Sequence, residues 1–247
     1  MSVLEMSRPA AVVAPKIRRI SESPRYIKAL IIGDSGEGKT YLAGTMPNIL
    51  LCLSEKSVSE ATLWALHRAG IDPDIWDIDS LDDLRDAYLY LASGDHNYTA
   101  VGIDSLTDLS FRIYKEVVAE AFARSSRHDP EVAEMSDWNR ITMKIRGVVD
   151  NFRDLPMHVV MTARVMDIRN EMKKVPFVQP RQIAADLPAH FNLVGYLERI
   201  KTGDGDVRRL YLEPQPTTLA KNPGGMLPPH IDNPDFREIM QIIGGEK

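Results

Sequence analysis

The chain of 247 residues contains one cysteine and no long apolar run. The single cysteine, Cys52, excludes an internal disulfide and a zinc site built from cysteine thiolates. No apolar stretch approaches the roughly 18 residues that a membrane-spanning helix requires. The short run Ala10–Ala14 is also too brief for the apolar core of a secretory signal. We therefore expect a reducing, cytoplasmic location and no membrane partner.

An excess of positive charge is also absent. Thirty Lys and Arg against 35 Asp and Glu give a formal net charge of −5. This balance excludes a globally basic nucleic-acid-binding protein but leaves room for a locally basic groove. The 44% of hydrophobic residues are typical of a globular chain. We assign residues 1–24 to a flexible arm that is also a candidate oligomerisation segment, and residues 25–247 to one core domain.

Short apolar runs alternate with helical patterns through most of the chain, which predicts an α/β fold with a mostly parallel sheet covered on both faces. The predicted strands are Lys28–Ile32, Ile49–Leu53, Ile75–Ile78, Ala100–Ile103 and His158–Thr162. The predicted helices are Lys39–Thr45, Ser57–Ala69, Leu81–Ala92, Leu106–Arg124, Asp137–Phe152 and a last short one near Phe236–Ile243. A Gly-rich turn between Leu193–Lys201 and Val207–Leu212 predicts a C-terminal β-hairpin. Three tryptophans are expected to pack between helices and sheet: Trp64, Trp76 and Trp138.

Residues 33–40 match the phosphate-binding pattern G-x-x-x-x-G-K-[ST] between a predicted strand and a predicted helix. Glycines let such a loop wrap tightly, so that successive backbone N–H groups converge on phosphate oxygens. In this pattern Lys39 supplies a charge for the β- and γ-phosphates, and Thr40 supplies a hydroxyl for Mg²⁺. Tyr41 follows and is a candidate neighbour of the nucleotide, with core packing as the alternative. The predicted nucleotide-binding residues are Gly33, Asp34, Ser35, Gly36, Glu37, Gly38, Lys39, Thr40 and Tyr41.

Two acidic residues follow predicted strands and complete a candidate ATPase site. Asp104 ends an apolar strand and is predicted to hold Mg²⁺ through water. Capping of the next helix is the alternative, and Ser105 can cap while Asp104 serves the metal. Glu55 follows Ile49–Leu53 at the edge of the sheet where such sites lie. It is predicted to orient the attacking water, with a solvated loop carboxylate as the alternative.

These motifs stand in the order found in the RecA-like recombinase ATPases. With Leu51–Ser57, Val101–Leu106 and Val160–Val165, the chain from about Tyr26 to Ile231 resembles the core-only RecA-like single-strand annealing ATPases of the Sak type, which phages encode. The resemblance implies a RecA-like P-loop NTPase core that uses ATP and Mg²⁺. It also implies a role in DNA recombination in the cytoplasm of a bacterial host, with Glu55 as the catalytic glutamate.

Two further basic residues gain candidate roles from this resemblance. Ala163 and Arg164 stand where the family's sensor strand ends in Asn and Gln, so Arg164 is a candidate for contact with a γ-phosphate or with DNA. Lys221 lies in a segment that approaches the neighbouring subunit's ATP in RecA-like filaments. It is a candidate for a charge supplied across the interface, with an exposed loop lysine as the alternative. Together with Lys39 and Glu55, these two residues form the predicted catalytic set.

The family's two DNA-binding loops map to about residues 124–135 and 166–185. Lys and Arg in these segments would neutralise phosphates and make binding salt-dependent. An aromatic ring in the second segment would stack on bases or wedge between them. Outside the family context, a solvated charged loop and a core phenylalanine are the favoured interpretation. The predicted DNA-binding residues are Arg124, Arg127, Arg169, Lys173, Lys174, Phe177 and Arg181.

The function predicted from the sequence is ATP-dependent binding of single-stranded DNA for annealing or assisted pairing in phage recombination. A single core offers few phosphate contacts, so we expect a filament or ring with ATP at the subunit interfaces. A single-strand-binding protein as partner is implied by the resemblance alone. Two other classes stay open: a helicase- or packaging-type motor ATPase, and a nucleotide-dependent regulatory module that binds a protein partner.

Overall fold

A computed structural model describes residues 19–23, 25–125, 127–168, 173–203 and 205–244. The strands in these ranges are β1 (Lys28–Ile32), β2 (Ile49–Leu53), β3 (Asp74–Asp77), β4 (Ala100–Asp104), β5 (His158–Ala163), β6 (Val165–Ile168), β7 (Lys173–Pro176), β8 (Leu193–Thr202), β9 (Gly205–Tyr211) and β10 (His230–Asp232). The α-helices are α1 (Lys39–Gly44), α2 (Lys56–Arg68), α3 (Leu81–Ser93), α4 (Leu106–Arg124), α5 (Met135–Arg153) and α6 (Phe236–Gly244). None of the helices in the described ranges combines the length and the apolar character needed to cross a membrane.

Eight strands form one sheet in the order β10-β9-β8-β1-β5-β4-β2-β3. All neighbours from β8 to β3 in this order are parallel, whereas β8, β9 and β10 pair antiparallel. Strand β5 lies between β1 and β4, so one strand separates the end of β1 from Asp104. This arrangement confirms the predicted α/β fold class, with a mostly parallel central sheet and a C-terminal β-hairpin.

Helices cover both faces of the sheet. Successive side chains of a central strand point to opposite faces, so each strand contributes to the core on both sides. On β1, Leu30 and Ile32 are buried in a cluster that includes residues of α3, α4 and α5. Ala29 and Ile31, from the same strand, are buried in a second cluster formed with α1 and α6. Burial on both sides explains why the central strands are continuous apolar runs in the sequence.

The segment 166–185 differs from the expected loop. Strand β6, which begins one residue before this segment, pairs antiparallel with β7, with Val165 opposite Pro176. The two strands form a separate two-stranded sheet. The sequence of β7, Lys-Lys-Val-Pro, gives no strand signal because it is short, charged and ends in proline. Arg169 lies outside the described residues, as does most of the predicted arm, residues 1–18 and 24.

The prediction for the tryptophans is wrong at one position. Trp76 and Trp138 are partly buried against the core, but Trp64 is 75% exposed. Helix α2 turns Leu63 and Leu66 toward the core instead. Trp64 follows Leu63 by about 100° around the helix axis, which places it on the outer side.

The attachment of α6 to the sheet can be tested at Phe236. Its side chain is fully buried, and its N–H donates to the Thr45 hydroxyl at 2.8 Å. We expect Phe236→Ala to lower the free energy of unfolding by about 3–5 kcal/mol, because the truncation leaves a cavity. Urea unfolding followed by circular dichroism measures this change. The matched control is Ile242→Ala on the same helix, where the side chain is 45% exposed; equal losses in both variants would contradict the docking described here.

Candidate nucleotide-binding site

The carboxyl ends of β1, β2, β4 and β5 meet at one edge of the sheet. In the register, Leu53 lies opposite Asp104 and Ile32 lies opposite Ala163. A cavity of about 360 Å³ opens at this edge. Its lining includes Ser35, Gly36, Gly38, Lys39, Thr40, Tyr41, Glu55, Asp104, Ser105, Arg164 and Arg208. Residues that are far apart in the sequence, and that were predicted to serve one nucleotide, are therefore brought together.

The loop between β1 and α1 has the backbone conformation that its glycines make accessible. Gly36 and Gly38 have φ angles of 84° and 97°, in the left-handed region that favours glycine. The acidic side chains of this loop do not line the cavity: Asp34 lies 3.6 Å from the Lys174 ammonium, and the Glu37 carboxylate accepts a hydrogen bond from the Arg199 N–H. The loop thus presents its backbone, rather than its two carboxylates, to the cavity.

Lys39 lines the cavity, and the backbone of the P-loop holds its side chain in place. Its side chain is buried, and its Nζ donates to the Asp34 carbonyl at 2.7 Å. Burial lowers the pKa of Lys39, and this effect outweighs the nearby carboxylates of Asp104, Asp34 and Glu55, which act in the opposite direction. An ammonium that donates to a backbone carbonyl can exchange this acceptor for the charged oxygens of a phosphate, which form stronger hydrogen bonds.

The Asp104 carboxylate is buried and receives hydroxyl hydrogen bonds on both oxygens. Thr40 Oγ1 donates to one oxygen at 2.5 Å, and Thr162 Oγ1 donates to the other. A carboxylate beside a threonine hydroxyl at the P-loop provides the hard oxygen ligands that Mg²⁺ prefers. The donor set therefore fits a magnesium ion held by Thr40 and Asp104. Thr162 was not predicted as a site residue, although its hydroxyl follows the apolar run Val159–Met161.

Glu55 and Arg164 face the same cavity from two other strand ends. The Glu55 carboxylate accepts a hydrogen bond from the Ser105 hydroxyl at 2.9 Å, which ties the end of β2 to the end of β4. The Arg164 guanidinium lies 5.6 Å from the centre of the Phe177 ring. Arg164 therefore lies between the cavity and the segment that follows β7.

A family model described as an AAA domain matches residues 25–223. The chain belongs to the AAA domain family. A search of curated proteins found no match. Among solved structures, a KaiC-like protein from the hyperthermophilic archaeon Pyrococcus horikoshii OT3 aligns with a TM-score of 0.41 and 14% identity, covering 75% of this chain and 77% of the other. With its P-loop at the sheet edge, the protein is an AAA-type P-loop ATPase domain.

Several residues predicted to act in this AAA domain lie outside the cavity. Lys221 Nζ donates to the Phe191 carbonyl at 2.7 Å, near the start of β8. Lys174 Nζ donates to the Tyr196 hydroxyl at 2.6 Å and thus lies beside the P-loop. Phe177 is half-buried and packs edge-on against Phe111, with ring centres 5.5 Å apart.

The remaining predicted cations are spread over the surface of the AAA domain. Arg124 and Arg127 are exposed around the connection between α4 and α5. Lys173 begins β7 and is half-buried, and Arg181 is exposed at a second cavity, of about 600 Å³, beside α5. The DNA-binding roles of all these residues stay predictions.

Arg208 is a residue of the site that sequence reasoning missed. It lines the cavity from β9, a strand that the sequence predicts only as one arm of a hairpin. No local pattern distinguishes it from Arg199 or Arg209, since the contact between β9 and the P-loop is a tertiary one.

The predicted role of Lys39 in phosphate binding can be tested with one substitution. We expect Lys39→Ala to bind a fluorescent ATP analogue about ten- to a hundredfold more weakly, because a charge-assisted hydrogen bond to phosphate is lost. Fluorescence titration measures the affinity, with Lys201→Ala as the control at an exposed position on β8. Unchanged affinity in Lys39→Ala would show that the loop does not bind phosphate in the predicted way.

A substitution of Glu55 can show whether ATP hydrolysis is separable from ATP binding. We expect Glu55→Gln to reduce the rate of ATP hydrolysis by at least about a hundredfold, because the amide cannot accept a proton from the attacking water. Binding of the ATP analogue should be retained, since the shape of the side chain is preserved. Release of inorganic phosphate measures the rate, and Glu60→Gln on the exposed side of α2 is the control. Full hydrolysis by Glu55→Gln would assign the role of base to another residue.

Proposed function

We propose that this protein is an Mg²⁺-dependent ATPase that binds single-stranded DNA according to its nucleotide state and acts in strand annealing or assisted pairing during phage recombination. The ATPase part rests on the cavity that Lys39, Thr40, Glu55 and Asp104 share. The DNA part rests on one observation above all: the β6–β7 hairpin, which carries basic residues, is in direct contact with the P-loop through Lys174.

In this proposal, each side chain at the cavity has a separate role in ATP hydrolysis. Lys39 exchanges the Asp34 carbonyl for oxygens of the β- and γ-phosphates and stabilises the charge that develops there. Glu55, held by Ser105, orients a water molecule and accepts its proton as that water attacks the γ-phosphorus. Thr40 and Asp104 are the residues that would hold Mg²⁺, which supplies neutralisation of phosphate charge when bound.

Contacts of the β6–β7 hairpin with the nucleotide site allow nucleotide binding to affect DNA binding. The Lys174 ammonium lies 3.6 Å from a carboxylate oxygen of Asp34, whose own carbonyl holds Lys39. The Phe177 N–H donates to the carbonyl of Arg164 at 2.7 Å, and Arg164 lines the cavity. Nucleotide binding that moves Asp34 or Arg164 therefore changes the restraints on the hairpin, and with them the position of its cations.

Assembly of several subunits follows from the small size of this basic surface. A single hairpin contacts few phosphates, and repetition along a strand multiplies the contacts without new chemistry. The exposed Lys221 lies outside the cavity of its own subunit, near the start of β8. In the proposed assembly, Lys221 acts on the nucleotide of a neighbouring subunit.

Fluorescence anisotropy of a labelled single-stranded oligonucleotide tests this function. Binding should be tight and salt-sensitive with a non-hydrolysable ATP analogue, and weak with ADP or without nucleotide. Lys173→Glu should reduce DNA affinity about tenfold and flatten its salt dependence while ATP binding is retained, because a phosphate contact is replaced by repulsion. The matched control is Lys201→Glu, near the end of β8.

Other results would select a different class of protein. A failure to bind DNA in every nucleotide state, with ATP still bound, would favour a regulatory module that recognises a protein. Rapid DNA-stimulated hydrolysis coupled to translocation along the strand would favour a motor ATPase.

A further inference from the structure

We propose that Arg208 of the C-terminal hairpin contacts a phosphate of the nucleotide bound by its own subunit, an inference that rests on the nucleotide binding proposed above. Arg208 from β9 would then bind phosphate beside Lys39 of the P-loop, in the cavity that Arg164 also lines. Neither the phosphate-binding pattern nor the resemblance to recombinases assigns this role to Arg208.

The first observation is the close contact between Arg208 and the P-loop. A Cβ atom placed on Gly38 would lie 2.6 Å from Nε and 2.9 Å from Cδ of Arg208. Gly38 immediately precedes Lys39, and Arg208 lines the cavity together with Lys39 and Thr40. The guanidinium therefore lies beside the part of the loop at which phosphate is expected. The lack of a side chain at Gly38 makes this approach possible.

The second observation is an unsatisfied donor. Arg208 Nε is buried and has no hydrogen-bond partner among the described residues. Buried donors are almost always paired in folded proteins, so an unpaired one indicates a missing acceptor. Phosphate oxygens are such acceptors, and their geometry matches the planar fork of a guanidinium. Another possible contact is stacking of the adenine ring on the guanidinium. That contact would leave the Nε–H group without an acceptor, so it does not account for the unpaired donor.

The neighbouring arginine provides a contrast within the same strand. Arg209 donates from Nε and Nη2 to the two carboxylate oxygens of Asp232, at 2.6 and 2.8 Å. Successive residues of a strand point to opposite faces of the sheet, so Arg209 faces away from the P-loop. Arg209 is thus satisfied by a carboxylate of the chain itself, whereas Arg208 Nε is not.

The backbone around Arg208 is fixed relative to the P-loop. The Arg208 N–H donates to the Asn233 side chain at 3.2 Å, and the Asn233 N–H donates to the Arg208 carbonyl at 2.6 Å. On the paired strand, the Arg199 N–H donates to the carboxylate of Glu37. A Cβ atom on Gly33 would collide with the Leu197 carbonyl. The hairpin therefore lies directly on the P-loop, and Arg208 reaches the cavity without a second subunit.

Nucleotide titration of matched variants tests the assignment. Fluorescent ADP and a fluorescent non-hydrolysable ATP analogue are titrated into the full chain and into Arg208→Ala, Arg208→Gln and Arg209→Ala. We expect both Arg208 variants to bind each nucleotide about tenfold more weakly, because a charge-assisted hydrogen bond is lost. Arg209→Ala, the control, should retain the affinity of the unaltered chain. If Arg208→Ala fails to fold, the more nearly isosteric Arg208→Gln carries the comparison.

Two further readouts separate a phosphate contact from a structural role. The rise in Tm that ADP produces should be smaller in Arg208→Gln, while the Tm without nucleotide should stay close to that of the unaltered chain. Competition by adenosine, which has no phosphate, should be the same in all variants. An equal loss of adenosine binding, or a fall in the nucleotide-free Tm that accounts for the weaker binding, would overturn the phosphate assignment.

The outcomes also distinguish this inference from the proposed function. If the unaltered chain and Arg208→Gln bind nucleotide equally well while Lys39→Ala does not, the inference is wrong and the ATPase proposal stands. If the unaltered chain binds no nucleotide, both proposals are wrong.

Discussion

The buried carboxylate of Asp104 is the point on which the site depends. Its two oxygens accept hydrogen bonds from Thr40 and Thr162, which belong to α1 and β5, while Asp104 itself ends β4. A carboxylate removed from water is costly unless such partners satisfy it. These partners are in reach only because β5 pairs in parallel with both β1 and β4, so that the strand ends coincide. This pairing, together with that of β2 and β4, places Lys39, Glu55 and Arg164 around one cavity.

Two hairpins contact the P-loop, each through a different part of the loop. Strand β7 contacts Asp34 through Lys174, and the β8–β9 hairpin contacts Glu37 and Gly38 through Arg199 and Arg208. The acidic residues of the loop, which would repel phosphate if they faced it, are used in these outer contacts. A loop restrained on both sides can transmit a change of nucleotide to either hairpin, and this is the physical basis of the proposed coupling between ATP and DNA.

Features set by local residue patterns could be predicted, and features set by long-range packing could not. The P-loop and the central strands have short-range signals, and Lys28–Ile32, Ile49–Leu53 and Leu106–Arg124 agree residue for residue with the structure. The β6–β7 hairpin escaped prediction because its strands are four residues each and β7 is charged. Trp64 was misplaced because the apolar side of α2 is defined by Leu63 and Leu66. Arg208 was missed because its partner, Gly38, lies on a different element of the fold.

Three features of this chain follow from local sequence patterns: a phosphate-binding loop between a strand and a helix, a later strand that ends in an acidic residue, and an α/β fold. Each of these depends on residues that are close together in the chain, where spacing and backbone preference are sufficient. Long-range packing determines which side chains share the cavity. It also brings Thr162 to Asp104 and Arg208 to Gly38. Strand order and the packing of the hairpin on the P-loop bring these residues together. Local sequence patterns cannot predict such contacts, because the residues that make them lie far apart in the chain.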